Sequence, residues 1–184
     1  MQATEILEHE HRVIEHVLSN LELAAKRLDQ GQPVRPGFFL DAAEFIKGFA
    51  DGCHHHKEEG VLFVAMEKAG VPKQGGPIGV MLAEHEQARA YTRGMREAAL
   101  RLQAGEPSAR AEVVRNALGY VAILRPHILK EDRILYPMAE RAIPAAGQAD
   151  LVEDFERVER EETGAGVHEK YEALAEALEK ELAP

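Results

Sequence analysis

The chain has 184 residues, 45% of them hydrophobic and 5% aromatic, with no Trp and nine His. Asp and Glu outnumber Lys and Arg by 32 to 22, and the resulting formal charge of -10 offers no basic field for a nucleic acid. A single Cys excludes an intrachain disulfide and a thiolate cluster for zinc or iron–sulfur, and neither a signal peptide nor an apolar run of membrane-helix length is present. Helix formers dominate and β-branched runs are absent, so the expectation is a cytoplasmic, all-α protein with one sizeable core and neither nucleic-acid nor membrane partners.

Thr4 is the expected cap of a first helix running to about Leu28, with Ile6, Leu7, Val13, Ile14, Val17, Leu18, Leu21 and Leu28 as its apolar stripe. Gly31, Pro33, Pro36 and Gly37 break the pattern, and a second helix follows from about Phe38 to Ala69. Its first half carries Phe45, Ile46, Phe49, Ala50 and Cys53, its second half Val61, Leu62, Ala65 and Met66. The two faces do not line up at about 100° per residue, and the phase changes at Gly52 and the adjoining histidines. After a turn-rich stretch from Gly70 to Pro77, a third helix spans about Ile78 to Gln103.

Gly105-Glu106-Pro107 ends that helix, and Ser108 is the expected cap of a fourth, whose stripe is Val113, Val114, Ala117, Leu118, Val121, Leu124 and Ile128. Pro126 and Pro137 predict disturbances within it. Beyond Pro144 come a short stripe (Leu151, Val152, Phe155, Val158), a break at Gly164-Ala165-Gly166, and an amphipathic helix from Val167 to Leu182. The whole reads as an up-down-up-down antiparallel four-helix bundle over 1–143. Residues 144–184 form a C-terminal helical extension, packed on the bundle or on a partner subunit.

One stretch has an echo. Cys53-His54-His55-His56-Lys57-Glu58-Glu59-Gly60-Val61-Leu62-Phe63 resembles His127-Ile128-Leu129-Lys130-Glu131-Asp132-Arg133-Ile134-Leu135-Tyr136-Pro137 when His54 is laid on His127. Each copy offers His-x-x-x-Glu, which puts an imidazole and a carboxylate one turn apart on one helical face. A lone histidine on an apolar face is commonly satisfied by a backbone carbonyl. Four of them, one per helix (His11, His54, His85, His127), with Glu at plus four after two, point instead to metal ligation.

Imidazole nitrogen with bridging carboxylate oxygen suits iron or manganese and not calcium. Six inward donors exceed what one zinc needs, so two ions are the economical reading, with Glu58 and Glu131 as the bridging pair. Further candidates for the metal or its surroundings are His55, Glu59, Glu15 and His168, the last followed by Glu172. His9 and His16 are weaker candidates that point elsewhere on the first helix, His56 is expected to face solvent or to support a ligand from behind, and Lys57 and Lys130 are expected to reach solvent. Cys53 reads as a small buried hydrophobe, and Tyr136 as core packing or the wall of an oxygen pocket.

Glu10-His11-Arg12, the triple-histidine stretch, Glu84-His85-Glu86 and the run from His127 to Pro137 together resemble the hemerythrin-like family, specifically the bacterial HHE cation-binding domains. The resemblance covers residues 5 to 143. It implies a four-helix bundle around a non-heme pair of iron ions bridged by an oxo or hydroxo group, with manganese or zinc as substitutes. It makes His11, His54, His85 and His127 terminal ligands, and Glu58 and Glu131 bridges. The oxygen carriers of that family have a fifth histidine where this chain has Met81, a poor ligand for ferric iron. His55, Glu15 or water would fill that position. Gly75-Gly76-Pro77 and Val167-His168-Glu169-Lys170-Tyr171 resemble features of a bacterial subgroup.

The leading expectation is a di-iron protein that binds or senses oxygen, nitric oxide or peroxide. An enzyme handling peroxide or nitric oxide, or donating iron, is the alternative, and a metal-stabilised helical interaction module the third. Oligomeric state is open, with a homodimer compatible.

Overall fold

A computed structural model describes residues 2–164 and 166–183, apart from the side chains of Glu162 and Thr163. Ala165, which the sequence places in the break before the last helix, lies outside the described residues. Six helices are arranged in chain order: α1 (Ala3–Asp29), α2 (36–68), α3 (Pro77–Gln103), α4 (110–142), α5 (Ala145–Val158, widened into a further turn at Glu159–Thr163) and α6 (Val167–Leu182). The first four form the bundle, α1 packing on α4, α4 on α3 and α3 on α2. The remaining groove, between α1 and α2, is covered by α6, which touches both. Among the described residues, no helix is long and apolar enough to cross a membrane.

Local chemistry accounts for most boundaries, with two corrections. Gln2, not Thr4, precedes the first helical residue, and its backbone N–H donates to Glu5 Oε2 at 2.7 Å. Thr4 sits inside the helix, where its hydroxyl donates to Glu140 Oε1 at 2.7 Å and ties α1 to the end of α4. Ser108 does not cap α4 either. Pro107–Ala109 forms a 3₁₀ turn ahead of the helix, and the Ser108 hydroxyl turns to Glu106 at 3.1 Å. Pro36 opens α2, where a missing N–H costs nothing.

The phase break in α2 has a backbone cause. Ile46–His55 and Glu58–Leu62 are π-helical, with N–H groups reaching back five residues instead of four. The Phe63 N–H accordingly donates to the Glu58 carbonyl, and in α4 the Tyr136 N–H donates to that of Glu131. The wider turns rotate the end of the helix, so Leu62, Phe63 and Met66 are the buried side chains of α2's last part, while Val61 and Ala65 are only half-buried. α4 runs through Pro126 without ending, and Pro137 opens the stretch after its π turn.

Two apolar clusters result. The larger joins Ile14, Leu18, Leu21, Phe45, Phe49, Met95, Val113, Tyr120 and Leu124 with Tyr171, Ala175, Leu178 and Leu182 of α6. The smaller joins Leu7, Leu62, Phe63, Met66, Met81, Leu135 and Tyr136 with Leu151 and Phe155 of α5. The extension therefore contributes to both. Gly48 permits the closest approach of α6: a Cβ there would lie 1.8 Å from the Tyr171 hydroxyl, which donates to Glu44 Oε1 at 3.2 Å. Gly48→Val should force Tyr171 out and lower stability by about 1–3 kcal/mol, as overpacking does. Urea denaturation monitored by circular dichroism measures it, and an unchanged midpoint would contradict this packing.

Candidate metal centre

Between the two apolar clusters lies a layer of polar side chains drawn from all four bundle helices. α1 supplies His11, α2 supplies His54, His55 and Glu58, α3 supplies His85, and α4 supplies His127 and Glu131. Each is 0–1% exposed. They converge as two groups, His55, Glu58, His85 and His127 in one and His11, His54, Glu58 and Glu131 in the other. Within each group the ligand atoms all lie within 4.8 Å of one another, and Glu58 belongs to both.

The ring nitrogens Nε2 point inward. His11 Nε2 is 3.3 Å from Glu131 Oε2, His127 Nε2 is 3.1 Å from Glu131 Oε1, and His85 Nε2 is 3.5 Å from Glu58 Oε2. His54 Nε2 is 3.7 Å from Glu58 Oε2, and the Nε2 atoms of His85 and His127 face each other at 2.9 Å. His54 Nε2, Glu58 Oε2 and both Glu131 oxygens are buried with no hydrogen-bond partner among the described residues. Ligand atoms held about 2.0–2.2 Å from one ion lie roughly 3–4 Å from each other, so this spacing fits a metal. Orphaned buried polar atoms are otherwise costly.

The outward nitrogens settle the orientation. All five imidazoles direct Nδ1 at a carboxylate: His11 at Asp132 (2.6 Å), His54 at Glu10 (2.9 Å), His55 at Asp51 (2.9 Å), His85 at Glu59 (2.7 Å) and His127 at Glu84 (2.8 Å). An Nδ1–H donated to a carboxylate leaves the Nε2 lone pair free and strengthens it as a ligand. Each carboxylate is in turn held by a cation. Arg12 binds Asp132, Lys57 binds Glu10, Lys130 binds Glu84, and Arg89 reaches both Glu59 (2.7 Å) and Asp51 (3.4 Å).

The near-repeat is thus spatial as well as sequential. α1 and α2 relate to α3 and α4 by a local pseudo-two-fold that exchanges His11 with His85, Glu10 with Glu84, His54 with His127, Lys57 with Lys130, Glu58 with Glu131 and Glu59 with Asp132. The symmetry fails at His55, whose counterpart is Ile128, and at Tyr136, whose counterpart is Phe63. The Tyr136 hydroxyl donates to Glu58 Oε1 at 2.7 Å and lies 3.3 Å from His11 Nε2. One group therefore has three imidazoles, and the other has two with a phenol beside them.

Burial and close neighbours shift the ionisation of these groups in opposite directions. Burial, reinforced by the charge of Glu131, pushes the Glu58 carboxyl well above its ordinary range. Glu131 is also buried, but His127, His11 and His85 around it hold it well below. Burial opposes a charge on His11 and on His85. The carboxylates beside them outweigh it, Asp132 and Glu131 for His11 and Glu131 and Glu59 for His85, raising the two to about 9 and about 10. His54 goes the other way, to about 4, because burial and the neighbouring His11 both disfavour its charge.

Residues 2–139 match the family model described as the hemerythrin HHE cation binding domain. The chain belongs to this family. It is also 26% identical, over 181 residues, to uncharacterized proteins of Mycobacterium bovis and of two strains of Mycobacterium tuberculosis. Those alignments span 98% of this chain and 70% of each relative. No solved structure matches significantly.

Within this HHE domain the six main sequence candidates (His11, His54, Glu58, His85, His127, Glu131) all fall in the two donor groups. His55 joins them, stacked on His85 with ring centroids 3.8 Å apart, while Met81 stays in the smaller apolar cluster. Glu59 stands behind His85. Glu15 lies outside both groups, paired with Arg12 at 2.7 Å on the surface. His168 is outside these two groups but converges with Glu10, Cys53 and Glu159 in a third, and it also lies 3.4 Å from Glu172 and edge-on to Phe49.

Lys57 is the clear correction: it is 0% exposed, held between Glu10 and Glu159, because the extension covers the face it was expected to present to water. Sequence reasoning gave no role to Glu10, Asp51, Glu84 or Asp132. Three of them are chain neighbours of proposed ligands, and that adjacency was the signal to be found. Removing an outer carboxylate typically weakens a metal site by about 10–100-fold. Glu84→Gln and Asp132→Asn should do so in competition titrations against a chelator, and unchanged affinity in both would mean that these carboxylates do not support ligands.

Proposed function

We propose that this protein is a non-heme di-iron protein that binds or senses a small molecule of the oxygen, nitric oxide or peroxide class. The observation that carries the reading is the pair of buried donor groups sharing Glu58. His11, His54, Glu58 and Glu131 would hold one ion, and His55, His85, His127 and Glu58 the other. Glu131 also lies within reach of the second group through His127. The nitrogen-rich mixture suits iron, with manganese or zinc as substitutes. Residues 1–143 act as the metal-binding unit and 144–184 as its extension.

The bound pair would supply one-electron chemistry and a coordination position for a small ligand. The chain's own residues define what can reach it. Surface clefts stop at the outer groups: one is lined by Glu84, another by Asp51 and Arg89, a third by Cys53 and Glu159. The inner donors are 0–1% exposed beneath these, which favours diatomic-sized ligands. Tyr136 presents its phenol to Glu58 on the side that has only two imidazoles, so it would hold a proton beside the donor group of His11 and His54. The carboxylates behind the imidazoles keep each ring in one tautomer, and the apolar clusters above and below exclude water.

Iron quantitation with Mössbauer spectroscopy of freshly purified protein should find two irons per chain, magnetically coupled. Glu58→Ala should lose more than one iron, since it serves both groups, whereas His55→Ala should chiefly deplete one. A single iron, or a Glu58→Ala protein with full iron content, would overturn the reading. Because the ligands must be deprotonated to bind, acidification should release the metal, as tracked by colorimetric iron assay.

A further inference from the structure

Lys57 is a fully buried ammonium with two anionic neighbours. It contacts one oxygen of Glu10, donates to Glu159 Oε1 at 2.6 Å, and lies 5.8 Å from the centre of the Phe155 ring. Glu10, itself 1% exposed, accepts the His54 Nδ1–H on its other oxygen at 2.9 Å. A continuous polar chain therefore runs from Glu159 at the end of α5 through Lys57 and Glu10 to His54. Glu159 and Phe155 lie beyond residues 2–139, which match the family model.

The other half of the centre supplies the comparison. Lys130 holds Glu84, and Glu84 accepts the His127 Nδ1–H at 2.8 Å. Lys130, however, is 36% exposed and has no second carboxylate among the described residues. Of two equivalent lysines, only Lys57 is removed from water and shared with the extension.

We propose that Glu159 and Lys57 are positioning residues through which the C-terminal extension tunes the donor strength of His54, and so one of the two metal positions. The proposal rests on the di-metal reading of the site. An ammonium shared by two carboxylates withdraws less charge from each. With Glu159 present, Glu10 remains the better acceptor for His54 Nδ1–H, and a stronger hydrogen bond there makes Nε2 the better donor. Lys57, Glu10 and His54 are buried, so little solvent screens the effect between them.

The two variants have opposite signs. Glu159→Gln concentrates the ammonium on Glu10 and weakens the His54 hydrogen bond. Lys57→Met removes the ammonium and strengthens it. Mere loosening of the fold would move both the same way. In full-length metal-free protein labelled with ¹⁵N-histidine, the His54 Nδ1 proton should shift upfield in Glu159→Gln and downfield in Lys57→Met. Lys130→Met should move His127 and leave His54 in place.

In the iron-loaded protein, the reduction potential should rise in Glu159→Gln and fall in Lys57→Met. An unmoved His54 proton, or shifts of one sign in both variants, would overturn the proposal. Should Lys57→Met fail to fold, Glu159→Gln and the carboxylate-preserving Glu159→Asp decide it, because Glu159 is 41% exposed and its replacement leaves the core intact. Asp is expected to restore the His54 position at least in part, and equal shifts in Gln and Asp would overturn the relay. Wild-type protein binding fewer than two irons would reject the di-iron reading, while the metal-free spectra still judge the relay.

Discussion

Two carboxylates and five imidazoles buried between apolar clusters are the constraint on which this structure depends. An ionised carboxylate removed from water costs several kcal/mol even after relaxation, so the fold rings Glu131 with His127, His11 and His85 and pushes Glu58 beside it toward the neutral acid. It does so in shells. Imidazole nitrogens face the two carboxylates, outer carboxylates face the far side of every imidazole, and Arg12, Lys57, Arg89 and Lys130 close the sequence. Each shell fixes the orientation of the one inside it, and at the centre His54 Nε2, Glu58 Oε2 and both Glu131 oxygens converge without a hydrogen-bond partner among the described residues.

The same arrangement explains the packing of the bundle. Most of the outer bonds cross between helices: Glu10 on α1 to His54 on α2, Glu59 on α2 to His85 on α3, Glu84 on α3 to His127 on α4, and Asp132 on α4 to His11 on α1. They form a closed ring of four contacts around the bundle. A helix slipped by one turn would break two of them and strand a buried carboxylate. The π turns starting at Glu58 and Glu131 serve the same geometry, since they let the ligand-bearing turn and the apolar residues after it both face inward.

The extension is integral to this arrangement. α6 covers the groove between α1 and α2, Tyr171 occupies the space that Gly48 leaves open, and Phe155 and Glu159 enclose Lys57. The α1–α2 side is thereby drier than the α3–α4 side, although the ligand sequences on the two sides are nearly the same. Together with the exchanges of His55 for Ile128 and Tyr136 for Phe63, this makes the two halves chemically unequal.

The features that the sequence by itself determined are those of local periodicity. Spacings of three and four residues marked the helices and their inward stripes, and His-x-x-x-Glu placed His54 with Glu58 and His127 with Glu131 on single faces. These features repeat within a few residues and need no knowledge of neighbours. The remainder was decided by tertiary structure. Apart from His55, whose partner Asp51 is one turn away, the imidazoles find their partners on other helices, as far off in sequence as Asp132 from His11, so no local pattern could pair them. The entry of both His54 and His55 depends on main-chain turns wider than an α-helix, which side-chain pattern registers only as a break in phase. The burial of Lys57, a residue type that ordinarily reaches water, was decided by the end of α5, which lies across it and carries Glu159, 102 positions further along, as its second counter-charge.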